Sequence, residues 1–94
     1  MPKEKVIHYP NGAIKEKKYL LEGKIHGQYT TYFPSGQIMA QLHFSSGKKN
    51  GSAISYYANG QVREKVNFAN DKMDGPYVSY YENGHVREEE NYKN

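Results

Sequence analysis

A glycine recurs every 24 residues along this chain, at Gly12, Gly36, Gly60 and Gly84. Other positions keep the same period, namely Gly27, Gly51 and Gly75; Tyr32, Tyr56 and Tyr80; and Ile14, Ile38, Val62 and Val86. Three full units follow without insertion, at 12–35, 36–59 and 60–83, with a part-unit on either side. Such a chain folds by stacking similar units, each of which contacts mainly its neighbours.

Each unit has the pattern of a β-hairpin. Asn-Gly pairs at 11–12, 59–60 and 83–84, with Ser35-Gly36 as a variant, favour two-residue type I′ turns. Apolar and polar residues alternate after the turn, most clearly over 37–44. We therefore predict strands near 4–9 and 13–20, 28–33 and 37–44, 52–57 and 61–68, and 76–81 and 85–92, and no helix.

The composition favours a thin sheet. Leu, Ile, Val and Phe supply only 16 of 94 residues, whereas Tyr alone supplies 10. Aromatic-rich, leucine-poor chains form strands more readily than helices. The predicted fold is all-β, with residues 1–94 as one domain: a single-layer, elongated antiparallel meander of about four stacked hairpins, near 4–20, 28–44, 52–68 and 76–92.

Two-residue turns also predict which residues face each other across a hairpin. Phe33 is expected opposite Ile38, and Gly27 opposite Phe44, so that aromatic rings cover the strand glycines. One face then collects Tyr9, Ile14, Phe33, Ile38, Leu42, Phe44, Tyr57, Val62, Val66, Phe68, Tyr81, Val86 and Tyr92. The other collects Tyr32, Tyr56 and Tyr80 with several cations. A turn longer by one residue exchanges part of this assignment.

The repeated unit resembles the MORN-repeat variant. The matching elements are an aromatic pair before Asn-Gly, as in 80–84, and a Lys-x-x-Gly segment, as in 72–75, and they recur over essentially the whole chain. Ala53 departs from the pattern where Tyr29 and Tyr77 stand, and Asp71 replaces a turn glycine. The resemblance implies a sheet of stacked hairpins. It also implies that the chain has no enzymatic activity of its own and that it binds other proteins. Some bacterial proteins of this variant are antitoxins, and the parent repeat has been linked to membrane lipids.

Residue types and spacing disfavour catalysis and metal binding. His8, His26, His43 and His85 occupy four different phases of the repeat, and the chain has no Cys. Glu16, Glu64 and Glu88 share one phase, which predicts a row of like charges at exposed margins of the apolar face and not an acid and base pair. We expect no enzyme, no cofactor and no metal.

The tyrosines at one phase form the candidate binding surface. Tyr32, Tyr56 and Tyr80 are expected side by side, flanked by Arg63, Lys65 and Arg87. Tyr and Arg contribute strongly to protein interfaces. The alternative is that these rings pack on the neighbouring repeat and hold the units together.

The expected partner is another protein. It is either a toxin, for which this chain would be the antitoxin, or a second copy of the chain. Anionic lipid head groups are the alternative. Nucleic acid is disfavoured because the net charge is only +3 and the cations are too sparse to form a dense basic surface. The absence of Cys, of an apolar leader and of a spanning segment predicts a cytoplasmic protein. Charges at Lys3-Glu4-Lys5 and Glu88-Glu89-Glu90 are expected to guard the two sheet edges.

Overall fold

The computed structural model describes residues 1–93, which form ten β-strands and no helix. The strands are β1 (Lys3–His8), β2 (Ile14–Leu21), β3 (Lys24–Ile25), β4 (Gly27–Tyr32), β5 (Ile38–Ser45), β6 (Lys48–Lys49), β7 (Gly51–Tyr56), β8 (Val62–Ala69), β9 (Lys72–Tyr80) and β10 (Val86–Tyr92). The predicted all-β fold is confirmed, with two short strands, β3 and β6, that the sequence pattern did not predict.

All ten strands belong to one antiparallel sheet. Its order is β1-β2-β4-β5-β7-β8-β9-β10, and β3 and β6 pair with β2 and β5. The molecule measures 36 × 34 × 14 Å, which is one layer thick and about as broad as it is long. Ala53 and Val66 are its most buried apolar residues, at 7% and 8% exposure. The predicted single-layer meander is confirmed, and residues 1–93 enclose no core. The predicted elongated shape is wrong, because the two long dimensions of the sheet are nearly equal.

The Asn-Gly turns are not of the predicted type I′. The amide of Gly12 donates to the carbonyl of Tyr9, and the amide of Tyr9 donates to the carbonyl of Ala13, so the loop has three residues. Gly12 has a φ of 92°, but Asn11 is not among the residues with positive φ. This is a type I turn followed by a bulge glycine. The Asn11 Oδ1 atom accepts the Ala13 amide at 2.9 Å, which explains the asparagine.

The longer turn shifts the pairing next to it. Gly27 lies opposite Phe44 as predicted, but Tyr32 lies opposite Ile38, where Phe33 was expected. The register shifts between Thr31 and Tyr32, and equivalent shifts occur in the other hairpins. The predicted face assignment is therefore right in the middle of the strands and wrong beside the turns.

Type I′ turns occur at the other end of the hairpins instead. Both central residues have positive φ at Glu22-Gly23, Ser46-Gly47 and Asn70-Asp71. Beyond each turn the chain bulges at a glycine, such as Gly27 with a φ of 94°. A Cβ atom on Gly27 would meet nothing within 4 Å, so backbone conformation and not an aromatic cover explains this glycine.

Consecutive hairpins meet at three seams, β2–β4, β5–β7 and β8–β9. At the first seam the Tyr9 hydroxyl donates to the carbonyl of Tyr32 at 2.6 Å, and the Asn11 Nδ2 atom donates to the carbonyl of Pro34 at 3.3 Å. The third seam repeats both bonds, from Tyr57 to Tyr80 and from Asn59 to Glu82. The middle seam has Phe33 and Ser35 at these positions. Phe33 has no polar atom to donate, and within residues 1–93 the Ser35 hydroxyl makes no bond to the next hairpin and only accepts from the Gln37 amide.

These bonds predict opposite effects for two matched substitutions. Tyr57→Phe removes an existing bond between hairpins and should lower the free energy of unfolding by about 1 kcal/mol. Phe33→Tyr adds the equivalent hydroxyl at the middle seam and should raise it by a similar amount. Urea denaturation followed by circular dichroism measures both. Equal effects of the two variants would show that the hydroxyl bonds do not stabilise the seams.

Candidate functional site

The sheet has two distinct faces, since cross-strand partners point to the same side. We call the front face the side that carries the row Ile7, Glu16, Thr31, Ala40, Ser55, Glu64, Ser79 and Glu88. The back face carries the row Val6, Lys17, Thr30, Gln41, Ile54, Lys65, Val78 and Glu89. Both rows cross eight strands, so either face offers a continuous surface.

A carboxylate and a tyrosine are joined across the first seam on the front face. The Tyr29 hydroxyl donates to Glu16 at 3.0 Å, and the Lys18 ammonium donates to the same carboxylate at 2.8 Å. Lys18 holds the pKa of Glu16 below its ordinary value; partial burial opposes this, and the Tyr29 hydroxyl adds to it. Burial, and then the bond to Glu16, raise the pKa of Tyr29, so its hydroxyl stays protonated and donates. The prediction that Glu16 lies at an exposed margin is therefore wrong, because its side chain is half-buried.

The third seam repeats this arrangement. The Tyr77 hydroxyl donates to Glu64 at 3.3 Å, and burial is the main cause that raises the pKa of Tyr77. Each tyrosine also packs edge-on against a second ring: Tyr29 on Phe44 at 5.7 Å between centroids, and Tyr77 on Tyr92 at 6.3 Å. Two of the three seams are therefore filled by a tyrosine.

The middle seam lacks both members of the pair. Ala53 occupies the tyrosine position and Ala40 the glutamate position, so the space between β5 and β7 is left as a depression of about 220 Å³. The Lys49 ammonium lies 4.8 Å from the Phe68 ring centroid, where the flanking repeats place a tyrosine. The depression is lined by Ala40, Leu42, Lys49, Ala53, Ile54, Ser55, Arg63, Glu64, Val66 and Phe68. It is the candidate functional site.

The six residues predicted to form a binding surface do not form one group. Tyr32 lies on the back face, where it lines a depression together with Lys17, Tyr19, Gln28, Thr30 and Gln41. Lys65 is also on the back face, between Ile54 and Val78.

The two arginines of that set lie on the front side. The Arg63 Nε atom donates to the Ser55 Oγ atom at 3.4 Å, because the register shift next to the turn carries Arg63 away from Lys65. Arg63 and Arg87 line one depression together with Tyr57, Glu64, Ser79 and Tyr80. Tyr56 is half-buried opposite Val62. The structure thus places both arginines on the other face of the sheet from Lys65. Tyr80 lines the depression at the arginines, but it alternates with Ser79 along β9 and so belongs to the back-face row.

Sequence reasoning noted Ala53 but missed the site that it creates. The signal was present, because Ala40 and Ala53 both depart from the repeat pattern and lie 13 residues apart, as Glu16 and Tyr29 do. Only the register across a seam shows that these two phases touch.

The described residues hold no group of three or more His, Cys, Asp or Glu side chains placed to bind a metal ion. No helix long and apolar enough to cross a membrane occurs in residues 1–93.

The Glu16 carboxylate predicts a pH-dependent contribution to stability. Because its folded pKa is lowered, the contribution is present at neutral pH and is lost as the pH falls through that pKa. Glu16→Gln should lower the free energy of unfolding at neutral pH by up to about 1 kcal/mol. The difference from the parent chain should vanish in acid. Urea denaturation at several pH values measures it, with Glu22→Gln, in an exposed turn, as the control. A pH-independent difference would contradict this assignment.

Comparison with protein families agrees with the repeat seen in the structure. The family model of the MORN repeat variant matches residues 25–46, 49–70 and 73–94, which is more than half of the chain. The matches begin 24 residues apart, and the first runs from the end of β3 through β4 and β5. Neither the curated proteins nor the solved structures provide a match to the chain. On the family match and the sheet of stacked hairpins, the chain belongs to the MORN repeat variant family.

Proposed function

We propose that this protein is a non-enzymatic binding module whose partner is another protein that docks on the front face. MORN repeats are generally binding modules, for proteins or for membrane lipids. The observation that carries the proposal is the depression at Ala40 and Ala53, which interrupts a surface that the flanking repeats fill with tyrosine.

The lining of the depression indicates what it accepts. Leu42, Val66 and Phe68 provide an apolar floor, and Lys49, Arg63 and Glu64 stand around it. Pockets that lose their water when a partner docks take the large anchor residues that dominate protein interfaces, mainly Tyr, Trp and Arg. The partner would thus supply an aromatic side chain with a polar end, in the place where the repeat's own tyrosine is missing.

Residues 1–93 form no second layer over the sheet, which supports the same proposal. A sheet 14 Å thick leaves both faces accessible, and Tyr29, Phe44 and Phe68 are only half-buried on the front. Covering apolar area contributes about 25 cal/mol per Å², so a few hundred Å² contribute several kcal/mol. The row of Tyr32, Tyr56 and Tyr80, with Lys65, is the second proposed surface; its half-buried rings also suit packing between repeats.

A substitution that fills the depression tests the proposal. Ala53→Tyr introduces the side chain that Tyr29 and Tyr77 carry at equivalent positions, so the variant should fold. Ser52→Tyr is the matched control, because Ser52 is exposed and lines a depression of the back face. A partner captured from the native host should be purified and titrated by calorimetry. We expect Ala53→Tyr to weaken its binding at least about tenfold and Ser52→Tyr to leave it unchanged.

Other outcomes assign the function elsewhere. Equal binding by both variants, with loss in a still-folded Tyr32, Tyr56 and Tyr80 to Ala triple variant, would move the site to the back face. A captured protein that stops growth when expressed alone, and is neutralised by this chain, would identify the partner as a toxin. Neither result is needed for the binding function itself.

Anionic lipid is the alternative partner. On the back face Lys17 and Lys65 stand in one row, but on the front Lys18 is bound to Glu16 and Lys49 lies over Phe68. If lipid binding is the function, phosphatidylserine vesicles should sediment with the protein at low salt. Binding should then weaken with added salt and in an Arg63, Lys65 and Arg87 to Gln variant. Unbound protein at low salt would remove this alternative.

A further inference from the structure

The two edge strands of the sheet are related by the repeat. Within residues 1–93, β1 pairs only with β2, and β10 pairs only with β9. β10 holds the same position in the 24-residue period as β2, β5 and β8. β1 holds the same position as β4, β7 and residues 75–80 of β9. Every seam inside the sheet joins one strand of each kind. The edges are therefore the two halves of a seam.

We infer that β10 of one copy docks on β1 of a second copy and adds a further seam of the same geometry. This binding surface is separate from the depression proposed above. Unpaired edge strands offer free backbone amides and carbonyls, which an incoming strand can satisfy. The second copy is the occupant that the repeat phase, the charges and the exposed side chains all favour.

The internal seams give the register of the docking. Glu16 lies opposite Thr31 at the first seam, and Val66 lies opposite Tyr77 at the third. Moved along the array by whole repeats, these pairs become Glu88 opposite Ile7 of the second copy, and Glu90 opposite Lys5 of the second copy. The antiparallel direction is kept.

The charges on the front side of the two edges are opposite. Lys3 and Lys5 stand on β1, and Glu88 and Glu90 stand on β10. In the described part of the chain none of these four side chains belongs to an ion pair, and Lys5 faces Lys18, which is a like charge. The only acid of β1, Glu4, is bound by Lys17 at 3.6 Å. Docking β10 on β1 pairs opposite charges, whereas pairing like edges would oppose like charges.

The side-chain bonds of the seams have free equivalents at β10. Tyr81 and Asn83 hold the positions of Tyr57 and Asn59, which bond to the carbonyls of the next hairpin. Tyr81 is 53% exposed, whereas Tyr9 and Tyr57, which bond to the next hairpin, are half-buried. In the docked pair these two side chains meet the carbonyls of His8 and Pro10 of the second copy.

The resulting contact is head-to-tail, so each copy keeps one free edge of each kind. Such heterologous contacts produce open arrays, or rings where the rotation closes. The charges that the sequence suggested as guards against edge pairing would thus exclude like edges and select unlike ones.

Two charge reversals test the inference, and both positions are exposed in the free chain. Sedimentation velocity of the parent chain should show mass rising with concentration in steps of 10.8 kDa. Lys5→Glu alone and Glu90→Lys alone each oppose like charges at the docking seam, and should weaken association at least about tenfold. An equimolar mixture of the two variants restores opposite charges at every contact and should restore association. Tyr81→Phe should weaken it about fivefold.

Three results would overturn the inference. The parent chain could remain a monomer up to about 1 mM. Both single variants could associate as the parent does, which would assign self-association to a sheet face. The mixture could fail to associate although both variants fold, as checked by circular dichroism. Capture of a partner at the Ala53 depression is measured separately, and these edge variants should leave it unchanged.

Discussion

The backbone ladder between neighbouring strands is the interaction on which the rest of this structure depends. A single layer has no second layer to enclose its side chains, so burial alone cannot hold distant parts of the chain together. The buried residues Thr30, Ala53, Val66 and Ser79 all lie on central strands, where a ladder runs on both sides. Side chains add to the ladder where they bridge consecutive hairpins, and the period of 24 residues places them there.

The three bridges of a seam are present or absent together. At the first and third seams a tyrosine and an asparagine bind the next turn, and a second tyrosine binds a glutamate. Phe33, Ser35, Ala40 and Ala53 occupy the four corresponding positions at the middle seam. The site proposed for a partner therefore lies where the protein supports itself least.

Much of the fold followed from the sequence, because glycine spacing and strict alternation leave few arrangements of short strands. The central register was predicted from the turn positions, and the pairing of Gly27 with Phe44 confirms it. The turn type was wrong, since Asn-Gly suits both a type I′ turn and a type I turn with a bulge glycine. Pro10 and Pro34 held the missing information, because proline favours the second position of a type I turn.

The candidate site was less predictable than the fold for a physical reason. Ala40 and Ala53 belong to different hairpins, and their placement around one depression depends on the bulge at Gly51 that sets the register across the seam. The same holds for Arg63, which lies on the other face of the sheet from Lys65 because the register shifts by one residue beside the turn. Composition and phase identify such residues but do not place them on a face.

The weak middle seam also determines how the sheet comes apart. In a linear array each unit is coupled only to its neighbours, so the boundary with the smallest coupling energy limits cooperativity. Here that boundary divides the eight strands of the main order into two sets of four, β1-β2-β4-β5 and β7-β8-β9-β10, each containing one fully bridged seam. Partial unfolding would therefore begin at the middle seam and separate two intact halves. A partner bound across β5 and β7 would stabilise this seam and make the whole sheet unfold as a single cooperative unit.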